Sequence, residues 1–347
     1  MQKVRNSNLE LYRIIVMLFI IAHHYVVNSG LMRVMLENPL SEYSIFYYVF
    51  GAWGKTGINC FLMITGYFMC TSQITVRKFL KLLLEVEFYN IAIYVIFLYS
   101  DYEAFSLSGC IKSVVPMLSL TDGFVSCYLV FYLCIPFLNI LVNNMNKLQH
   151  GLLILLCLFI YTVHGTIPGM YVSMNYVSWF CVLYFIASYI RLYPVNMLSN
   201  VKWGGYAGLC ILVSSISIVL ALWIGVKTGR FVSQYRLVSD SNALMALVTA
   251  ICSFMYFKDL KIPYSKFINT VGASTFGVLL IHANSDTMRQ WLWRDIVDCV
   301  GHYADDLFWL YPIMAVIIIF VICVAIDINR IYFLERPLFQ FFEKRKI

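Results

Sequence analysis

Residues 9–27 read Leu-Glu-Leu-Tyr-Arg-Ile-Ile-Val-Met-Leu-Phe-Ile-Ile-Ala-His-His-Tyr-Val-Val. An apolar run of this length is close to the ~20 residues with which a helix crosses a bilayer. In hydrocarbon a segment must satisfy its own backbone hydrogen bonds, and a helix does so unaided. Comparable runs recur at about 45–70, 80–100, 124–143, 151–166, 173–191, 205–226, 239–257, 270–285 and 308–333. The alternation expected of membrane barrel strands is absent. The pattern predicts an all-α, polytopic integral membrane protein with about ten transmembrane helices.

Composition agrees. Hydrophobic residues make up 61% of the 347 and charged residues 12%, against roughly 25% charged in a soluble domain. There is too little charge to coat a soluble surface. The net charge of +7 does not point to nucleic acid, because the basic residues cluster between apolar runs. With the N-terminus inside, seventeen Lys and Arg fall on the inner side and seven on the outer, leaving aside Lys55 at a span edge. This bias predicts that both termini are cytoplasmic. Leu11–Val27 is long for a signal-peptide core and no small-x-small cleavage pattern follows it, so it reads as a retained first span. No internal repeat stands out, and the chain reads as one membrane domain over 1–347 with no appended soluble domain. Most of the eleven cysteines lie inside apolar runs as packing residues. No CxxC or Cys/His spacing predicts a metal. Cys110 and Cys299 fall in predicted outer loops, and a disulfide between them stays open.

Two residues of the first span carry chemistry. Arg13 and His24 are eleven apart, so they differ by only about 20° around the helix and by roughly 16 Å along it. Glu10 lies one turn before Arg13 on nearly the same face and could pair with it. Arg13 sits near the cytoplasmic interface, where a cation can snorkel. His24 sits deep, toward the outer half. An ionisable group at depth is a candidate functional residue, and imidazole can act as a general base near neutral pH. The plainer reading is a histidine hydrogen-bonded between helices. His23 points about 80° away from Arg13.

The segment Leu9 to His24, with an arginine, ten residues and a histidine, resembles the opening helix of the acyltransferase-3 family of bacterial membrane acyltransferases. Further stretches are similar to that family in order along the chain: Gly57 to Phe68, Phe124 to Asn139, Ser274 to Asn284 with Trp291-Leu292-Trp293, and Glu335-Arg336-Pro337-Leu338. The resemblance implies transfer of an acyl group, an acetyl group above all, from cytoplasmic acyl-CoA. The acceptor would be a hydroxyl of a cell-surface polysaccharide or its lipid-linked precursor. It implies a multi-pass protein of the bacterial cytoplasmic membrane, with acyl-CoA as donor substrate rather than a permanently bound cofactor. Carried over, Arg13 and His24 are catalytic, with His24 as general base or acyl carrier. His282, expected near the outer face, contacts the acceptor; Asn284 and Arg289 follow it and help hold sugar hydroxyls, the plain alternative for these two being polar residues at a helix end.

Arg77, Lys78 and Lys81 open the third span, with spacings of three and four that gather them on one face. A helix N-terminus favours phosphate, so these three are the candidate coenzyme A site; a positive-inside anchor is the plain alternative. The family has a pair of arginines where Lys78 and Lys81 stand, and the bidentate fork is lost with them. Many relatives carry a tryptophan and an acid where Gly123 and Tyr128 stand, with Asp122 adjacent. Glu85 and Glu87 are rare intramembrane acids, expected to pair with Lys81 or Lys55 or to line a cavity. His150, His164 and His302 read as interfacial or loop residues. The competing function is a transporter or flippase for a glycan precursor or small molecule, which would also place charges at depth, although no inverted repeat is visible. A sensory or binding domain is a third reading.

Overall fold

The computed structural model describes residues 6–116, 123–167, 170, 172–194, 201–229 and 234–344. Asp122 therefore lies outside the described residues, as do Lys3, Arg5, Arg230, Arg345 and Lys346 of the charge balance.

The protein is all-α among the described residues. In chain order the helices are α1 (Ser7–Val27), α2 (Leu31–Glu37), α3 (Glu42–Phe50), α4 (Gly54–Met69), α5 (Val76–Tyr99), α6 (Leu107–Val114), α7 (Phe124–Asn144) and α8 (Lys147–Leu158). There follow α9 (Tyr176–Leu192), α10 (Trp203–Thr228), α11 (Leu244–Asp259), α12 (Lys266–Ala273), α13 (Thr275–His282), α14 (Asp286–Gln290), α15 (Leu310–Arg330) and α16 (Arg336–Lys344).

Among the described residues five helical segments are long and apolar enough to cross a membrane: Ser7–Val27, Val76–Tyr99, Phe124–Asn144, Trp203–Thr228 and Leu310–Phe342. Lys147–Val163 and Tyr176–Leu192 are shorter apolar helices. Large side chains such as Leu212, Leu220, Trp223, Ile318 and Val321 stand exposed on α10 and α15. Apolar patches of that extent are costly in water and free of cost against lipid.

Each expected apolar run is helical, but two are broken. The 45–70 run divides into α3 and α4 at Gly51-Ala52-Trp53. The 270–285 run divides at Ser274 into α12 and α13. There the Thr275 hydroxyl bonds back to the Gly272 carbonyl, a local alternative to helical pairing that hydroxyl residues offer. The final helix runs past its expected end: a π turn at Ile331–Glu335 joins α15 to α16.

α1 is the central element, packed against α4, α12 and α15. α4 packs in turn on α9 and α11, and α13 on α15 and α5. Two close approaches require glycine. A Cβ on Gly54 would lie 2.3 Å from the His23 ring, and one on Gly277 would lie 2.3 Å from the Asp327 carboxylate. Gly277→Ala should therefore push α13 away from α15, at about 1–3 kcal/mol for overpacking a filled core. A clear fall in the melting temperature of purified protein in detergent checks this; an unchanged value would mean that the interface can give way.

Candidate functional site

α1, α4, α5, α7 and α13 enclose a cavity of about 580 Å³. Its lining includes Arg13, His23 and His24 from α1, and Lys55 and Thr65 from α4. Glu85 and Asn90 of α5, Tyr128 of α7 and Tyr176 of α9 join them, with Asn284 and Arg289 after α13. The eleven-residue spacing thus does what the helical geometry predicts: Arg13 and His24 face one space, about 16 Å apart along α1.

Local structure explains their placement. Glu10 in the first turn of α1 suits the helix dipole, and His24 stands in the last turn. Glu10 reaches Arg13 at 4.0 Å, the expected pair. Beyond Asn28 the chain turns away through Gly30, whose φ of 92° a side chain would resist. The bare Cα of Gly54 lets the first turn of α4 lie against His23. The His23 Nδ1 bonds the Gly51 carbonyl at 2.6 Å, fixing that ring on the opposite side of the break.

His24 meets His282. His24 Nδ1 and His282 Nε2 are 3.0 Å apart, and His282 Nδ1 lies 2.6 Å from the Val278 carbonyl. A carbonyl only accepts, so His282 carries its proton on Nδ1. In neutral His282 the Nε2 is then an acceptor, and His24 Nδ1–H donates to it. That leaves His24 Nε2 with a free lone pair. The order of protons follows from the partners, as histidine tautomers must be assigned.

His282 is fully buried and lies behind His24 rather than on the cavity wall. It is therefore not placed to touch an acceptor in the cavity: α13 ends at this residue, and the ring packs at right angles to Trp293. Asn284 does line the cavity, where its amide nitrogen donates to Asn90 Oδ1 at 3.0 Å.

The basic turn is separate. Arg77, Lys78 and Lys81 occupy the N-terminal end of α5 and do not line the cavity, which begins one residue on at Leu82. Lys78 Nζ donates to Ser72 Oγ at 3.1 Å and the Gln73 carbonyl at 2.6 Å. Lys81 pairs with Glu335 at 2.7 Å. Arg77 lies over the Phe339 ring.

The intramembrane acids pair otherwise than expected. Glu85 lines the cavity, but its partner is Arg330 at 3.0 Å, not Lys81 or Lys55. Arg330 also holds Asp327 at 2.9 Å and Glu335 at 3.0 Å, and Tyr89 donates to Asp327 at 2.8 Å. The family-like Glu335-Arg336 stretch thus contributes to a buried network centred on Arg330, one of the basic residues counted on the inner side. Lys55 donates to the Tyr176 hydroxyl and lies 3.9 Å from Asp240. His150, in the first turn of α8, is buried, with Nε2 at 3.0 Å from the Phe185 carbonyl. His302 pairs with Asp305 in a loop.

Tyr128 lines the cavity with its hydroxyl 3.4 Å from Thr65 Oγ1. All eleven cysteines are free thiols, Cys110 and Cys299 included. Among the described residues no group of His, Cys, Asp and Glu is arranged to hold a metal.

Residues 6–328 match a family model described as an acyltransferase domain. No curated protein and no solved structure matches the chain.

Proposed function

Because the chain belongs to the acyltransferase-3 family of membrane acyltransferases, we propose that it transfers an acyl group, preferentially acetyl, from cytoplasmic acyl-CoA to a hydroxyl of a surface polysaccharide or its lipid-linked precursor. The observation that carries this reading is the free His24 Nε2 facing a cavity that also holds Arg13. In the same reading the chain crosses a bacterial cytoplasmic membrane about ten times, with both termini inside.

The chemistry follows from the proton order. The acceptor hydroxyl gives its proton to His24 Nε2 as its oxygen attacks the thioester carbonyl carbon. The tetrahedral intermediate collapses, the carbon–sulfur bond breaks, and the thiolate of coenzyme A takes the proton from His24. His24 Nδ1–H keeps its bond to His282 Nε2 throughout. His282 is then a positioning residue, held in its tautomer by the Val278 carbonyl. Arg13, at the inner end of the cavity, fixes the donor. The ~16 Å between Arg13 and His24 suits an extended pantetheine arm.

Arg77, Lys78 and Lys81 lie just below the inner end of the cavity and are assigned to the phosphates of coenzyme A. Charge-assisted contacts to phosphate are the strong class of hydrogen bond. A combined Lys78→Ala and Lys81→Ala change should weaken acetyl-CoA binding at least tenfold, about 1.4 kcal/mol, as read by titration of purified protein. Unchanged affinity would return these lysines to a topology role.

Radiolabelled acetyl-CoA supplied to purified protein with surface glycan from the source cell tests the reaction itself. Labelled glycan is the expected product. Failure to label any hydroxyl-bearing glycan, with donor binding intact, would contradict the assigned acceptor class.

A further inference from the structure

The cavity is unevenly charged. Among the described residues its lining carries four cations, Arg13, Lys55, Lys112 and Arg289, against one carboxylate, Glu85. Glu85 is already taken up by Arg330 at 3.0 Å.

Three of these cations belong to the end away from Arg13. Lys55 is in the first turn of α4, one residue from the Gly54 that lies on the His23 ring. Arg289 follows His282 by seven residues, and Lys112 is in α6, beyond the far end of α5. Asn28, Asn90 and Asn284 add amide groups to the same wall.

Their local partners do not cancel this charge. Arg289 is held by Asp286 at 2.9 Å, but the Asp286 side chain is 98% exposed, and an ion pair in water is worth little. Asp240 approaches Lys55 only to 3.9 Å. The Arg289 Nε is buried and has no hydrogen-bond partner among the described residues. A buried donor left without a partner is uncommon and calls for an acceptor. A concave site lined by one sign of charge also concentrates ligands of the other.

The donor does not account for this end. Its phosphates are assigned to the opposite, cytoplasmic end, some 16 Å further along α1. We infer that the outer half of the cavity is an anion subsite for the acceptor, so that the glycan acylated here bears a carboxylate or phosphate close to the reacting hydroxyl. This inference rests on the acyltransferase reading and narrows its acceptor class. Lys55 and Arg289 are its principal contacts, and Asn284, whose amide nitrogen is taken by Asn90 and the Leu280 carbonyl, keeps its Oδ1 to accept from a sugar hydroxyl.

The test is binding of defined oligosaccharides to purified protein in nanodiscs, without donor. A glucuronate-containing oligosaccharide, the same oligosaccharide with its carboxyl groups reduced, and a phosphorylated neutral oligosaccharide are titrated in parallel. At least one anionic ligand should bind tenfold or more tighter than the neutral one, and whichever binds better identifies carboxylate or phosphate. The preference should disappear in Lys55→Gln/Arg289→Gln. It should persist in Lys202→Gln/Lys227→Gln, which removes equal charge away from the cavity. Equal affinity for acidic and neutral ligands, no binding of any, or a preference that survives loss of Lys55 and Arg289 would each overturn the inference. Acetyl-CoA hydrolysis by the same preparation, with and without His24, reports on the transferase reading separately, because it needs no acceptor.

Discussion

Replacing His24 by alanine is expected to lower acyl transfer by about 10²–10⁴-fold, the usual contribution of a positioned general base, while the protein still reaches the membrane. The loss should appear in kcat with little change in KM for acetyl-CoA, because the donor is held from the other end of the cavity. His282 provides a graded companion. Its Nε2 accepts the His24 Nδ1 proton at 3.0 Å, and a glutamine oxygen could accept the same bond. His282→Gln should therefore retain more activity than His282→Ala. If the two variants were equally impaired and both had lost folded protein, His282 would be a packing residue only. Full activity in His24→Ala would remove the imidazole from the reaction.

Arg330→Met is expected to have the largest effect on stability. The Arg330 guanidinium is shared by Glu85, Asp327 and Glu335, all within 3.0 Å, and both Arg330 and Asp327 are buried. Removing the cation leaves three acids in a low-dielectric interior with only Lys81 nearby. Breaking a buried ion pair from one side costs about 3–5 kcal/mol, which is much of the stability of a typical domain. The variant should be absent from the monodisperse peak in detergent chromatography. Arg330→Lys should not restore it, because an ammonium cannot reproduce a planar fork reaching several carboxylates. Combining Arg330→Met with Glu85→Gln and Asp327→Asn should recover folded protein, since fewer unpaired charges are then buried. A stable Arg330→Met single variant would show that the acids accommodate one another without it.

Much of this was legible in sequence, and the rest was not for identifiable reasons. The apolar run lengths located every long helix, because the bilayer constraint acts on each segment alone. The shared face of Arg13 and His24 was legible for the same reason: both lie on one helix, and its periodicity is fixed. The breaks at Gly51-Ala52-Trp53 and Ser274 were hidden, because breaks inside apolar runs leave the hydropathy nearly unchanged. The His24–His282 contact joins residues 258 apart, and no local pattern encodes such a pairing. Family resemblance singled out His282 but not its place behind His24. Arg330 was missed for a related reason. At the end of a hydrophobic run an arginine looks like a topology signal; Asp327 and Glu335 lie within two turns of it on the same helical segment, and only the approach of Glu85 from α5 needs the fold. Lys78 and Lys81 looked alike in sequence, but their partners differ: Lys78 bonds the Gln73 carbonyl and Lys81 the Glu335 carboxylate.

The most direct measurement is mass spectrometry of surface glycans from a deletion strain of the source cell, complemented with the wild-type gene or with His24→Ala at matched membrane levels. The account predicts that one glycan loses its acyl ester on deletion, regains it with the wild type, and fails to regain it with His24→Ala. An acyl ester that survives deletion, or is restored by His24→Ala, would contradict it.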